Sequence, residues 1–224
     1  MKKVILVISM CALVAGAMFL NSCKKDDTTA PVVTITGSST VTSSLNASYT
    51  DAGAKANDEK DGDLTSKITT TWSPAFNKDL KGEYVITYSS TDAAGNVGTA
   101  TRTVKVVNDA EFLAGSFVNA QDTETSPVLY TTFDANVTTS NTVNNAFTID
   151  NFSQLSTSAG IKASLDATGT NITFLLPQAL LSSSSLTQAH GVVVSKSSPV
   201  KFEIIYQWVD SLSTTASDVA WYIR

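Results

Sequence analysis

Cysteine is nearly missing from this sequence: Cys11 and Cys23 are the only two in 224 residues. Two cysteines can make at most one disulfide, so no disulfide framework is available and the fold must rest chiefly on core burial. Histidine is scarcer still, with His190 alone. One histidine and no spare thiols cannot supply the usual zinc ligands. A serine triad would need His190 as its base, but the residue stands beside Gly191 with no nucleophile-elbow pattern and reads as a turn position. Neither a phosphate-binding glycine loop nor a dinucleotide fingerprint is present. Positive charge is also short, with 15 Lys and Arg against 20 Asp and Glu. That balance lacks the electrostatic footprint of a nucleic-acid binder and leaves neutral glycans or basic protein surfaces as partners. No cofactor is expected.

What is present begins with an export pattern. Lys2 and Lys3 precede an almost wholly apolar run, Val4 to Leu20, and the small polar residues Asn21 and Ser22 follow it, the plan of a secretory signal. The run falls somewhat short of the ~20 residues that span a membrane, which disfavours the alternative of a retained span. Leu20-Asn21-Ser22-Cys23 resembles a bacterial lipobox. The resemblance implies cleavage after Ser22, loss of Cys11 with the signal, and acyl chains on Cys23, where two or more chains hold firmly and one does not. Lys24-Lys25-Asp26-Asp27 is similar to the lysine-then-acid signal of Bacteroidetes lipoproteins displayed on the outer face of the outer membrane. The bland alternative is a polar tether. Residues 1–22 are then a signal peptide and 23–30 a lipidated cysteine with a flexible tether, reaching ~25 Å when extended. Without Lys2 and Lys3, thirteen basic residues face 20 acidic ones, a formal charge near −7.

Residues 31–108 show no sustained helical period. Short β-favouring runs recur at Val32 to Ile35, Ile68 to Trp72, Tyr84 to Thr91 and Thr99 to Val107. Tyr84, Ile86 and Tyr88 alternate with Thr87 and Ser89, which predicts a half-buried strand. Asp92-Ala93-Ala94-Gly95-Asn96 supplies turn chemistry before a returning strand with Ala100, Val104 and Val106 on one face. Four motifs come in order: Tyr49 to Ala56, Asp61-Gly62-Asp63-Leu64-Thr65, Gly82-Glu83-Tyr84, and Thr91 to Asn96. They resemble the immunoglobulin-like repeat of bacterial surface proteins and some insecticidal crystal toxins. The resemblance implies an Ig-like β-sandwich without disulfide, serving as a spacer or interaction module. The acids Asp58, Asp61 and Asp63 raise a calcium site, since hard cations take closely spaced carboxylates. They lack EF-hand spacing, and Lys60 interrupts them, so local turn bonds around Gly62 are the preferred reading. Trp72 reads as packing.

Residues 109–224 follow with very little linker. Predicted strands are Val128 to Phe133, Ala146 to Ile149, Ile161 to Leu165, Ile172 to Leu175, Val192 to Ser195, Val200 to Trp208 and Val219 to Ile223. Phe202, Ile204, Tyr206 and Trp208 share one face of the clearest of them. This spacing suits an antiparallel β-meander folded as a sandwich or closed barrel, so the whole chain is expected to be all-β. Ala179 to Leu186 is left as a loop or one helical turn. Leu113 to Phe117, Thr142 to Phe152 and Gly169 to Phe174 resemble a C-terminal β-domain of Bacteroidetes lipoproteins that has no assigned activity.

Chemistry is harder to find. A glycosidase needs two carboxylates ~5–9.5 Å apart, and Asp122, Glu124, Asp134, Asp150, Glu203 and Asp210 are the stock, placed near strand ends as solvated acids are. No catalytic residue is assigned and an enzyme is not expected. For glycan stacking the aromatics are Tyr130, Tyr206, Trp208, Trp221 and Tyr222. Strand alternation sends Tyr206 and Trp208 inward. It places Trp221 and Tyr222 on opposite faces, so these two are the candidate ligand residues, with Arg224 sharing the face of Tyr222. The expected function is non-catalytic recognition of a glycan or protein at the cell surface, with anchoring in the membrane through Cys23. A purely structural or adhesive envelope protein is the alternative, and a glycoside hydrolase a more remote one.

Overall fold

The computed structural model describes residues 26–125, 128–152, 160–179, 184–209 and 215–224. The signal run, Cys23, Lys24, Lys25 and Asp210 lie outside the described residues. Regular structure within them is β apart from two single-turn helices, Thr65–Lys67 and Glu111–Leu113. The protein is all-β, as the alternating polar and apolar residues predict.

In chain order the N-terminal strands are β1 (Val32–Ile35), β2 (Thr40–Ser44), β3 (Ala54–Asp58), β4 (Gly62–Asp63), β5 (Thr69–Ser73), β6 (Gly82–Thr91) and β7 (Val97–Val107). They form a three-stranded sheet, β1-β3-β4, and a four-stranded sheet, β2-β7-β6-β5, in which β2 joins β7 in parallel. The predicted inner face of β6 is correct: Tyr84, Ile86 and Tyr88 are buried. Two compact units arise, one from residues 26–36, 52–71 and 87–101, the other from residues 37–51, 72–86 and 102–224. In the first, a side chain at Gly98 would collide with the Pro31 carbonyl, so the close passage of these two segments requires glycine there.

In the second unit Leu45, Tyr84 and Val106 form a small core, capped by Trp72 and Phe76. Trp72 is packing, as expected. Its ring lies 4.9 Å from that of Phe76, which in turn meets Tyr84 edge-on. The inward face of β7 also carries Arg102, 1% exposed, ion-paired to Asp51 and donating from Nε to the Ser38 carbonyl at 3.0 Å. The Tyr49 hydroxyl donates to the same Asp51 carboxylate. A buried guanidinium of this kind is tolerated only when paired and hydrogen-bonded.

The rest of the second unit is a barrel. Its strands are β8 (Gly115–Thr125), β9 (Val128–Thr139), β10 (Ala146–Asp150), β11 (Ile161–Leu165), β12 (Asn171–Phe174), β13 (Gln178–Ala179), β14 (Ser185–Ser195), β15 (Lys201–Val209) and β16 (Thr215–Ile223). Sequence neighbours pair antiparallel from β8 to β12 and from β14 to β16. The ring is closed by β16 on β8 and by β12 on β14, while β13 adds to β14. This is the predicted meander, closed with eight strands.

Its interior is solid. Phe117, Phe133, Phe152, Phe202, Tyr206 and Tyr222 meet mostly edge to face, and Tyr222 stacks flat on Phe202 at 4.5 Å. Each such ring removes on the order of 150–250 Å² from water, about 4–6 kcal/mol at ~25 cal/mol per Å² as an upper bound. Burial of this size can hold a domain together without disulfides.

Two sequence readings need correction. Leu186 belongs to β14 and is fully buried, so the end of the Ala179–Leu186 stretch is strand rather than loop or helix. His190 and Gly191 are not a turn but the middle of β14, where His190 faces Thr173 and Ile205 across the strand pairs. Gly191 sits inside the barrel seam: a Cβ there would press on the Glu203 carbonyl at 2.8 Å and on Ile172 at 3.1 Å. Glycine at this position reflects close backbone approach.

Candidate functional site

Two turns of the first unit and the tether bring three acids together. Asp58 ends β3, Asp92 follows β6, and Asp27 lies in the tether. One carboxylate oxygen of each lies within 4.8 Å of the others. Asp58 is 3% exposed. Its Oδ1 accepts the amides of Lys60 (2.8 Å) and Asp61 (3.0 Å), while its Oδ2 is shielded from solvent with no hydrogen-bond donor.

Asp92 Oδ1 accepts the amides of Ala94 and Asn96, and its Oδ2 accepts the Asn96 side-chain amide. Burial works against ionisation of Asp92. The Asn96 side chain and the Asn96, Gly95 and Ala94 amides outweigh it and hold the carboxyl below the usual carboxylate range. Asn96 Nδ2 also donates to the carbonyls of Asp27 and Thr29, which ties the tether to this turn. Lys60 Nζ stands 3.7 Å from Asp27 Oδ1.

The three sequence-predicted acids therefore part company. Asp61 turns its Oδ2 to the Ala93 amide, joining the two turns. Asp63 is exposed and caps the turn at Thr65; bonds from the Thr65 side chain and amide lower its pKa. Only Asp58 joins the cluster. Spacing along the chain could not reveal it, because Asp27 and Asp92 come from distant segments.

On the barrel, Trp221 and Tyr222 lie on opposite faces of β16, and Tyr222 is the inner one. Tyr222 is 0% exposed, stacked on Phe202, and cannot meet a ligand. Arg224, on the same side, lies over the Phe117 ring and donates to the carbonyls of Ala114 and Phe112. Trp221 is half-buried on the outer face. Cross-strand pairing sets it in a row with Val192, Glu203 and Gln121. The adjoining outward residues are Ile205 and Val219 on one side and Lys201 and Ile223 on the other. Lys201 Nζ stands 4.5 Å from the indole centre, and Val192, Ile205 and Ile223 are exposed.

The glycosidase acids are not all solvated. Asp122 is buried, and the Tyr206 hydroxyl donates to its Oδ2 at 2.8 Å. Asp218, which the sequence did not single out, is buried too and accepts Trp208 Nε1 at 3.0 Å. Both face inward because β8 and β16 pair with Asp122 opposite Ala220. Asp134 and Asp150 are exposed, and Asp134 accepts the Asn119 amide. His190 is exposed on the outer face of β14. Elsewhere, an open hollow of about 540 Å³ runs along Thr29, Ala30, Val32, Thr34, Lys55 and Asn57, with no aromatic ring in its lining.

Residues 33–106 match the family model described as "Bacterial surface protein, Ig-like domain". Among solved structures, the lipoprotein BT2262 from Bacteroides thetaiotaomicron is 15% identical, with a TM-score of 0.35, covering 86% of this chain and 99% of its own. A structure of CBM51-2 in complex with GlcNAc and INT domains from Clostridium perfringens ZmpB is 12% identical, with a TM-score of 0.30, covering 86% of this chain and 43% of its own. A structure of the M60 catalytic domain with the CBM51-1 and CBM51-2 domains of the same ZmpB is 13% identical, with a TM-score of 0.30, covering 87% of this chain and 21% of its own. A comparison with curated proteins gives no match.

Proposed function

We propose that this chain is a non-catalytic recognition module of the bacterial cell surface, anchored through acyl chains on Cys23, that binds a neutral glycan on the outer face of β14, β15 and β16. The surface setting is supported by the Ig-like domain at residues 33–106, whose family is described as one of bacterial surface proteins. The observation that carries the binding site is Trp221. It is a flat ring on an outward strand face, beside the Gln121 amide and the Glu203 carboxylate in one cross-strand row. Aromatic surface with a few placed polar groups is part of what a small-ligand site supplies. The barrel interior is filled by its own rings, so recognition falls to the outside. The net negative charge favours neutral over anionic ligands. Asp122 and Asp218 are engaged by Tyr206 and Trp208 within the barrel, in keeping with a non-catalytic role.

The test is glycan-array binding by the full chain, followed by titration of the best glycan. Trp221→Ala should weaken binding about tenfold or more, ~1.4 kcal/mol, with melting unchanged. Wild-type affinity in that variant would remove the site, and silence on the array with capture of a surface protein instead would favour the adhesive reading.

A further inference from the structure

We propose that Asp27, Asp58 and Asp92 bind a calcium ion that clasps the tether to the turns after β3 and β6. The donor-less oxygen of Asp58 is the first reason. A carboxylate oxygen shielded from water and given no hydrogen bond is costly, yet Asp58 Oδ2 is in that position within a group of three acids. A cation supplies the missing partner. Charge is the second reason. Among the described residues, Lys60 sets one ammonium beside the three carboxylates, an excess of negative charge that a divalent ion offsets.

Ligand chemistry favours calcium. Oxygens bound at ~2.3–2.6 Å to calcium stand up to about 4.6–5.2 Å apart, and the three carboxylate oxygens lie within 4.8 Å of one another. Magnesium usually keeps several waters and takes only one or two carboxylates. An all-oxygen set is also what a hard cation takes, and extracellular modules bind calcium with Kd of roughly 10⁻⁴–10⁻³ M.

The consequence concerns the tether. With Asp27 held, it lies four residue steps from Cys23, a reach of about 13–14 Å at ~3.3–3.6 Å per residue, against ~25 Å for the free segment. Calcium then sets how close the Ig-like domain stands to its anchor. The site itself does not depend on lipid at Cys23; the shortened stand-off rests on that reading.

The experiment is calorimetric titration of the full chain with calcium chloride in chelator-treated buffer, with amide exchange at Thr28 to Ala30 as a second readout. One ion should bind, and exchange at these amides should slow. Asp58→Asn keeps an oxygen for the Lys60 and Asp61 amides but removes the charge, and should weaken binding at least tenfold. Asp27→Asn lies outside every strand, leaves the fold intact by circular dichroism, and should do the same while abolishing the exchange effect. A folded wild-type chain that gives no heat with calcium chloride overturns the site, as does undiminished binding in both variants. Binding without slowed exchange overturns the clasp. Membrane release of a Cys23 variant would bear on the anchor and leave this result untouched.

Discussion

Asn108 shows how much one side chain can hold. It is wholly buried where the chain enters the barrel. Its Nδ2 donates to the carbonyls of Ser140, Val143 and Ala146 at 3.0–3.1 Å, and its Oδ1 accepts the amides of Ala110 and Asn145 at 2.9 Å. Five backbone groups of two segments thus depend on one amide. Each buried polar group left without a partner costs ~1–3 kcal/mol. Asn108→Ala should therefore destabilise the protein by about 3 kcal/mol or more, measured as a lower urea midpoint. Asn108→Asp, which keeps the acceptor but buries a charge and loses the donors, should be no better. An unchanged midpoint in the alanine variant would show that these carbonyls find water instead. In the sequence Asn108 marks only the end of the first β-rich stretch, because nothing local distinguishes a buried amide from a solvated one. Arg102 is hidden in the sequence for a similar reason: alternation gives Ala100, Val104 and Val106 one face, but an arginine between them would ordinarily face out. Its partner Asp51 lies in another segment. Trp221 and Tyr222 were legible as a pair on opposite faces, but which face was inner depended on β8 and β15 closing around them.

At the level of elements, the β11–β12 connection is organised by Asp166. Its Oδ1 accepts the amides of Thr170 (2.8 Å) and Asn171 (3.1 Å), its Oδ2 accepts the Asn171 side-chain amide (2.7 Å), and both oxygens accept the Thr168 hydroxyl. The bond from the Thr170 amide, then that from the Asn171 side chain, hold the carboxyl far below its ordinary value of 3.8. A carboxylate depressed on folding contributes stability above the unfolded pKa and loses it as pH falls through the folded one. Asp166→Asn should therefore melt below wild type at neutral pH. The gap should narrow only below about pH 4, the Asp range, as the carboxyl of the unfolded wild-type chain takes its proton ahead of the folded one. Melting curves that stay parallel down to about pH 2 would refute it. Elements with strong alternation were readable in sequence: Ile161–Leu165 was placed to the residue, and β15 within one. β8 was missed because Gly-Ser-Phe-Val-Asn-Ala-Gln-Asp-Thr-Glu-Thr carries few β-branched apolar residues, and a register shift between Phe117 and Ala120 breaks its period. β2 and β3 are short and largely polar, and they gain their hydrogen bonds from β7 and β1 rather than from their own pattern.

For the molecule as a whole, the proposed membrane anchor can be tested directly. Among the described residues no helix is long and apolar enough to cross one. The barrel turns its rings inward, the reverse of the outward apolar band that seats a membrane-spanning barrel in lipid. The attachment proposed above is through Cys23. One acyl chain gives only marginal, reversible binding, with an association constant of roughly 10⁴ M⁻¹, and each buried methylene adds ~0.8 kcal/mol. Three chains on one residue would make dissociation negligible, and removing the thiol removes the lipid attached to it and disables the cleavage that depends on it. Cys23→Ala should leave a soluble chain or an uncleaved precursor, seen by fractionation and intact mass, with the folded residues melting as in wild type. A Cys23→Ala chain that is processed normally and still sediments with membranes would mean that some other surface holds it there. The exposed Val192, Ile205 and Ile223 beside Trp221 would then be the first place to look.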